Sequence, residues 1–278
     1  MSDRFFAPSP ILSERVVLTG AEAHHLLHVI RARPGCRVTL LDGSGWEFAA
    51  EVRRVARAEV ELAVLARHAV DRELPLRLTL GVALPKGERQ RWLVEKAVEA
   101  GVGRLVPLAT ARGVAQPVEK ALQRLRRSVI EATKQCGRTR LLEISRPQGW
   151  SEFIADTAAV PCRMLAHPFQ GGPRKAEGGG EEGHGDAETR RHGEGGRRKA
   201  EGGKGKAVPL TDPSLLPLLA GGGPAAMAIG PEGGFTDAEV AQALAAGWQA
   251  VDLGPRILRV ETAAIMLAAW VQLTCPDR

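Results

Sequence analysis

From Pro75 to its C-terminus this 278-residue chain alternates short apolar runs with segments of helical period, and that alternation constrains the fold more than any other feature. Leu76, Leu78, Leu80, Val82 and Leu84 make a strand pattern that Pro85-Lys86-Gly87 ends. Trp92, Leu93, Lys96, Ala97 and Ala100 then recur at helical spacing up to Gly101, and 104–108 reads as the next strand. Residues 118–136 place Val118, Leu122, Leu125, Val129, Ala132 and Cys136 on one helix face, with Arg124, Arg126, Arg127 and Lys134 off it. Further strands are expected at 141–144, 163–166, 225–229 and 249–253. Such alternation predicts an α/β fold with a largely parallel sheet. The segment before Pro75 differs. Strand patterns at 37–41 and 46–53 flank the turn residues Asp42-Gly43 and Gly45, which predicts a small β-rich module around one helix. The division falls at 1–72 and 73–278.

Residues 171–207 interrupt the alternation. They are Gly-rich, carry 9 Lys/Arg against 7 Asp/Glu and repeat Arg-Lys-Ala-Glu-Gly-Gly at 174–179 and 198–203. With almost no apolar side chains they cannot offset chain entropy by burial, so a disordered insertion is expected. Charge is uneven elsewhere too. Residues 86–140 hold 13 Lys/Arg against 5 Asp/Glu, and 208–278 hold 3 against 7. The first balance suits a polyanion such as RNA, or simply a solvated helix face. Cys36, Cys136, Cys162 and Cys275 form no C-x-x-C pair, which speaks against a zinc ribbon or a disulfide framework and for a reducing cytoplasm. The start has no basic-then-apolar leader, and the apolar stretch 263–271 is about half a membrane span, so no membrane association is expected.

Two late segments carry the chemistry. Gly230-Pro231-Glu232-Gly233-Gly234-Phe235 lies between the strand at 225–229 and a helix that Thr236 caps, with Glu239 completing a capping box. Its glycines allow a ligand close to the main chain at the C-terminal edge of a parallel sheet; a tight structural turn is the plainer alternative. The Gly-Lys-Ser/Thr of a phosphate loop and G-x-G-x-x-G are both missing, and Glu232 would repel phosphate. A phosphate-free cation such as S-adenosylmethionine is compatible. The second segment, 253–262, precedes a helix that is apolar nearly all round and therefore needs cover from other elements or a second subunit. Arg259 and Glu261 stand at its entrance, either as reacting groups or as a cap or mutual pair.

These two segments, together with Gln135-Cys136-Gly137-Arg138, the Lys86-Gly87, Lys96, Glu99 and Gly101 helix region, and an N-terminal Arg4-Phe5-Phe6 followed by His24-His25 and Val29-Ile30-Arg31, resemble the bacterial ribosomal RNA small subunit methyltransferase E family. The resemblance spans the chain except 171–207. It implies a SPOUT-type parallel sheet with a C-terminal trefoil knot, a preceding PUA-like RNA-binding domain, a homodimer, and methylation of N3 of a uridine in 16S ribosomal RNA. It also implies cofactor contacts at Leu165, His167, Ile229, Gly230, Pro231, Glu232, Gly234, Leu253, Gly254, Ile257, Leu258, Arg259, Glu261, Thr262 and Ala263. RNA contacts are implied at Arg4, His25, Arg31, Arg33, Lys86, Lys96, Gln135 and Arg138. Two positions depart from the family's usual pattern: Lys134, where an acid is common, and Cys136, where Ser is frequent.

Methylation at uracil N3 requires loss of a proton and stabilisation of the anion. Arginine cannot be the base but can hold charge on the uracil oxygens, which points to Arg259 and Arg138. Glu232, Glu261 or no side chain at all would take the proton. Phe5 and Phe6 beside Arg4 suit base stacking or core packing equally. His24 and His28 share a helix face, but no third ligand accompanies them and no metal is expected. The alternatives are a related methyltransferase acting on another RNA or on a ribose, and a non-catalytic RNA-binding assembly factor.

Overall fold

The structure, a computed structural model, describes residues 3–113, 119–168, 207–220 and 222–275. Five strands form an N-terminal sheet: β1 (Arg4–Phe6), β2 (Arg15–Thr19), β3 (Arg37–Leu41), β4 (Trp46–Val55) and β5 (Glu59–Ala69), in spatial order β1-β3-β4-β5-β2. β1 runs parallel to β3, and the other neighbours are antiparallel. Asp42 makes the β3–β4 turn, its carboxylate accepting from the Ser44 amide at 3.0 Å. Helix α1 (Gly20–His24) continues as one π-helical turn over His25–Val29 and covers the core of Phe5, Leu18, Leu26, Leu40, Val52 and Leu62. Phe5 is fully buried with its ring edge-on to His25, so it packs rather than stacks a base.

The second sheet holds β6 (Leu78–Val82), β7 (Arg104–Ala109), β8 (Glu143–Ile144), β10 (Cys162–Ala166), β11 (Val208–Pro209), β12 (Ala225–Ile229) and β13 (Gln249–Asp252), in order β11-β13-β10-β12-β6-β7-β8, with β9 (Gln148–Gly149) against β7. Every pairing in it is parallel. Successive side chains of a strand face opposite ways, so β12 divides its residues between two cores. Ala225, Met227 and Ile229 pack under α2 (Glu88–Glu99), α3 (Glu119–Cys136) and α7 (Val260–Thr274). Ala226 and Ala228 face α4 (Trp150–Asp156) and α6 (Asp237–Ala245) across an aromatic cluster of Trp150, Phe153, Phe235 and Trp248. Gly81 admits that cluster, because a Cβ there would lie 2.5 Å from the Phe153 ring. A short α5 (Leu216–Ala220) packs beside α7.

The strand and helix expectations agree with the observed elements to within a few residues, with three corrections. Trp92 is 44% exposed; the buried stripe of α2 is Leu93, Val94, Ala97 and Val98, one step round the helix. Ala207, expected within the insertion, is buried against the aromatic core at the start of β11. The elements α4 and α5 had no sequence expectation. Val118 and residues 171–206 lie outside the described residues. Among the described residues no helix is long and apolar enough to cross a membrane.

Candidate active site

Three strands end side by side. Ala166 of β10 is in register with Ile229 of β12 and with Val251 of β13, so the segments leaving those strands at 167, 230 and 252 start from one edge of the sheet. Two of them are the segments singled out in the sequence. The edge is drawn tighter by bonds from the Ala83 amide to the Ile229 carbonyl (3.0 Å) and from the His167 amide to the Val251 carbonyl (2.9 Å).

The first loop is held on every side. Its own turn is closed by the Gly234 amide donating to the Pro231 carbonyl at 2.8 Å. Gly230 sits so close to the returning chain that a Cβ would lie 3.0 Å from the Phe235 amide nitrogen, which explains a glycine there. Downstream, the capping box is complete: the Thr236 hydroxyl accepts from the Glu239 amide, and the Glu239 carboxylate accepts from the Thr236 amide at 2.8 Å. The other oxygen of Glu239 accepts from the Ala111 amide at 2.8 Å, and the Arg112 guanidinium donates to the Gly233 carbonyl at 2.8 Å. Burial raises the Glu239 pKa, but the bonds from Ala111 and Thr236 and the charge of Arg112 outweigh it, and the carboxyl titrates below its ordinary range. From the opposite side Arg89, in the first turn of α2, donates to Glu232 at 3.2 Å and lies 3.7 Å from a Glu261 oxygen.

The second loop is held less. The Asp252 carboxylate accepts from the Gly254 amide at 3.0 Å. Beyond it Pro255, Arg256 and Ile257 are exposed, Ile257 completely. Arg259 occupies the N-cap position of α7 without a side-chain capping bond, and neither it nor Arg256 has a side-chain partner among the described residues. The mutual pair of Arg259 with Glu261 is therefore absent. Glu261 is buried, its Oε2 without a hydrogen bond, and turns to Arg89 instead.

These residues fit S-adenosylmethionine. A 250 Å³ cavity lined by Leu210, Leu253, Gly254, Met266 and Trp270 gives apolar walls for a flat ring. The Asp252 carboxylate lines the cavity and can face a cation, Glu232 and Glu261 belong to the segments that leave the same sheet edge, and two buried polar atoms, Glu261 Oε2 and His167 Nδ1, have no hydrogen-bond partner. Burial lowers the His167 pKa and Asp237 opposes it only in part, so the ring is neutral at pH 7 and able to accept as well as donate. Of the sequence-derived cofactor positions, Leu253 and Gly254 line the cavity, and Gly230, Pro231, Glu232, Gly234, Leu258, Thr262 and Ala263 surround the loops. The Leu165 and Ile229 side chains belong to the two cores, so only their main chain can face a ligand.

Arg138 is corrected. It lies at the opposite edge of the sheet, with its guanidinium on the Val98 and Val102 carbonyls (3.0 Å each) and in a two-bond ion pair with Glu73. All of its fork is occupied and it is nearly fully buried, so it cannot meet a uracil. Its neighbourhood is the seam between the two sheets. There Lys134 pairs with Glu22 at 2.8 Å, Arg72 with Glu47 at 2.8 Å and Arg4 with Glu47 at 3.5 Å. Lys134 is buried, which by itself would lower its pKa, yet Glu22 and Glu131 together raise it. Lysine in place of the family's usual acid is thus matched by Glu22. Among the implied RNA contacts, Gln135, Arg31, Arg33 and Lys86 are exposed, Lys96 is bound to Glu99 on its own helix (2.7 Å), and His25 is half-buried against Phe5. No group of three or more metal-binding side chains occurs among the described residues.

The sequence expectations missed Arg89, Arg112, Leu210, Met266 and Trp270. Arg89 is 143 residues from Glu232, and no local pattern signals a partner at that range.

Comparison with known proteins agrees with this geometry. The RNA methyltransferase domain family matches residues 72–179 and 205–272, and the RNA methyltransferase PUA domain family matches 18–65. Ribosomal RNA small subunit methyltransferase E of Synechocystis is 30% identical over 271 residues, covering 95% of this chain and 75% of that protein. The enzyme of the same name from Neisseria gonorrhoeae, solved bound to S-adenosyl methionine, superposes with a TM-score of 0.74 at 27% identity over 98% of each chain. A methyltransferase of Legionella pneumophila in complex with the same cofactor gives 0.76 at 26% identity over the whole of both chains.

Proposed function

The chain belongs to the ribosomal RNA small subunit methyltransferase E family, and from that premise we propose that it methylates N3 of a uridine in 16S ribosomal RNA in the cytoplasm. It is an S-adenosylmethionine-dependent ribosomal RNA methyltransferase. The observation that supports the finer reading is the sheet edge where 230–235, 252–259 and His167 converge, with Arg259 left without a side-chain partner among the described residues and Glu232 and Glu261 held by Arg89.

S-adenosylmethionine supplies an electrophilic methyl group on a sulfonium. The protein's residues do the rest. The 230–235 loop and the apolar cavity orient, while Glu232 and Glu261 put negative charge beside a cation. Arg259 meets the charge that spreads onto the uracil oxygens once the N3 proton has passed to a carboxylate, Glu232 or Glu261, or to water. His167, Gly230, Pro231, Glu232, Gly234, Leu253, Gly254, Ile257, Leu258, Glu261, Thr262 and Ala263 form the cofactor surround, and the main chain of Leu165 and Ile229 closes it, while Arg259 at its mouth faces the RNA. The five-stranded module up to about residue 72 is the part that meets RNA, with Arg31 and Arg33 exposed on it, a reading supported by the match of 18–65 to the RNA methyltransferase PUA domain family. Extraction of the target base from its stack is part of the reaction. The threading of the late loops is read as a trefoil knot, supported by the order β13-β10-β12-β6.

The test is nucleoside mass spectrometry of 30S subunits from a strain lacking the protein. Added enzyme and cofactor are expected to produce 3-methyluridine at one position; a ribose methyl or modification of transfer RNA would overturn the reading.

The enzyme acts as a homodimer through the outer face of α7. Met266 and Leu273 are exposed there, and the two helices packed beside α7 add exposed Trp92 on α2 and Leu216 and Leu218 on α5, apolar surface of the kind that marks an interface. Met266→Glu combined with Leu273→Glu is expected to yield monomers in sedimentation velocity, and an unchanged sedimentation coefficient would exclude this face.

A further inference from the structure

We propose that Arg89 is a positioning residue for methyl transfer: it ties Glu232 to Glu261 and sets the net charge that the cofactor's sulfur meets. This rests on the reading of the two loops as the cofactor site. Glu232 and Glu261 belong to different segments, one an exposed loop and the other the buried first turn of α7. One guanidinium spans them, with Nη2 3.2 Å from Glu232 Oε1 and Nη1 3.7 Å from Glu261 Oε2. Arg89 itself is anchored in α2, whose Leu93 and Ala97 are buried in the same core as Ile229 and Ala264. The three segments therefore share one rigid reference.

The charge count follows from the same contacts. Within this tie two carboxylates and one guanidinium leave a single negative charge, beside the Asp252 carboxylate that lines the cavity. A sulfonium is favoured by net negative charge there; the thioether left after transfer is not. Arginine suits this task better than lysine because its planar fork hydrogen-bonds Glu232 with one nitrogen while the other faces the Glu261 carboxylate 3.7 Å away. Without it the two carboxylates would repel each other, and the exposed Glu232 would swing into solvent. The hydrogen bond to Arg112 would then be the loop's remaining side-chain tie on the 230–234 backbone.

Two variants with opposite charge effects separate this role from a general loosening. Arg89→Ala adds net negative charge, whereas Glu232→Gln removes it, and Glu232 is exposed enough that its replacement has little effect on the core. Calorimetric titration with S-adenosylmethionine and with S-adenosylhomocysteine reads the preference for the charged ligand. Relative to the unmodified protein, Arg89→Ala is expected to bind both ligands about tenfold more weakly while shifting the preference roughly fivefold toward the sulfonium. Glu232→Gln is expected to shift it the other way. Arg89→Lys is expected to restore the preference but not the affinity. Equal weakening toward both ligands in Arg89→Ala, or shifts of the same sign in Arg89→Ala and Glu232→Gln, would overturn the proposal. Failure of the unmodified protein to bind either ligand would instead remove the cofactor site itself, and the inference with it.

Discussion

The two loops at the sheet edge are built in opposite ways. The loop 230–235 is tied at several points: a turn bond, a capping box directly after it, Arg112 on the backbone and Arg89 on the carboxylate. In 252–259 the Asp252 side chain holds the Gly254 amide, and after that Arg256, Ile257 and Arg259 project into solvent. Both leave parallel strands that are neighbours of β10, so the difference is not one of location. A loop held in place meets its ligand without an ordering cost, while a loop with free side chains keeps them for a group that arrives later. On the proposed reading the contrast divides the labour: 230–235 is a pre-formed wall, while 252–259 lends Leu253 and Gly254 to the cofactor cavity and keeps the exposed Arg256 and Arg259 for RNA.

The sharpest way to break that division is Arg259→Ala. Turnover is expected to fall about a hundredfold or more, the scale of losing a charge-stabilising donor, with affinity for S-adenosylhomocysteine held within about threefold. Equal losses in turnover and affinity, measured by single-turnover kinetics beside calorimetry, would move Arg259 into the pocket. A substitution in the tied loop should do the reverse. Gly230→Val forces a side chain against the Phe235 amide, so cofactor affinity is expected to drop about tenfold with a loss of roughly 1–3 kcal/mol in stability. Wild-type binding by that variant would show that the loop need not be pre-formed.

The smallest effect probes the capping box. Thr236→Ala is expected to lower stability by about 1 kcal/mol, a drop of about 2–4 °C in melting temperature. Glu239 gives this a pH dependence. Its folded pKa is lowered, so its contribution is complete above the ordinary glutamate range and is lost as pH falls through the folded value. Glu239→Gln is therefore expected to flatten the acid limb of a stability curve recorded by urea titration between pH 6 and 3; an unchanged slope would detach Glu239 from the loop's stability.

Legibility differed in the same way as the two loops. Strands β6, β7, β10, β12 and β13 announce themselves through short apolar runs, and Thr236 with Glu239 marks the start of α6 within a four-residue window. The stripe of α2 was displaced because Trp92 is large and apolar yet faces outward, so its size and apolarity misled where Leu93, Val94, Ala97 and Val98 form the buried face. Arg138 was legible as part of a motif but not as a seam residue. Its partners Glu73, Val98 and Val102 are between 36 and 65 residues away, and a conspicuous arginine reads alike whether it meets RNA or a buried carboxylate.

What the amino-acid sequence determined alone is local: element type, the parallel α/β class, the capped loop at 230–235 and the family. Propensity, turn chemistry and capping act over a few residues, so they can be read within a short window. The tertiary structure decided which charges meet. It turned Glu261 to Arg89 rather than to Arg259, gave Lys134 to Glu22, and closed Arg138 into the seam. Ion pairing depends on distances of a few ångströms between segments 65 to 172 residues apart, and packing of the two cores against one parallel sheet sets those distances.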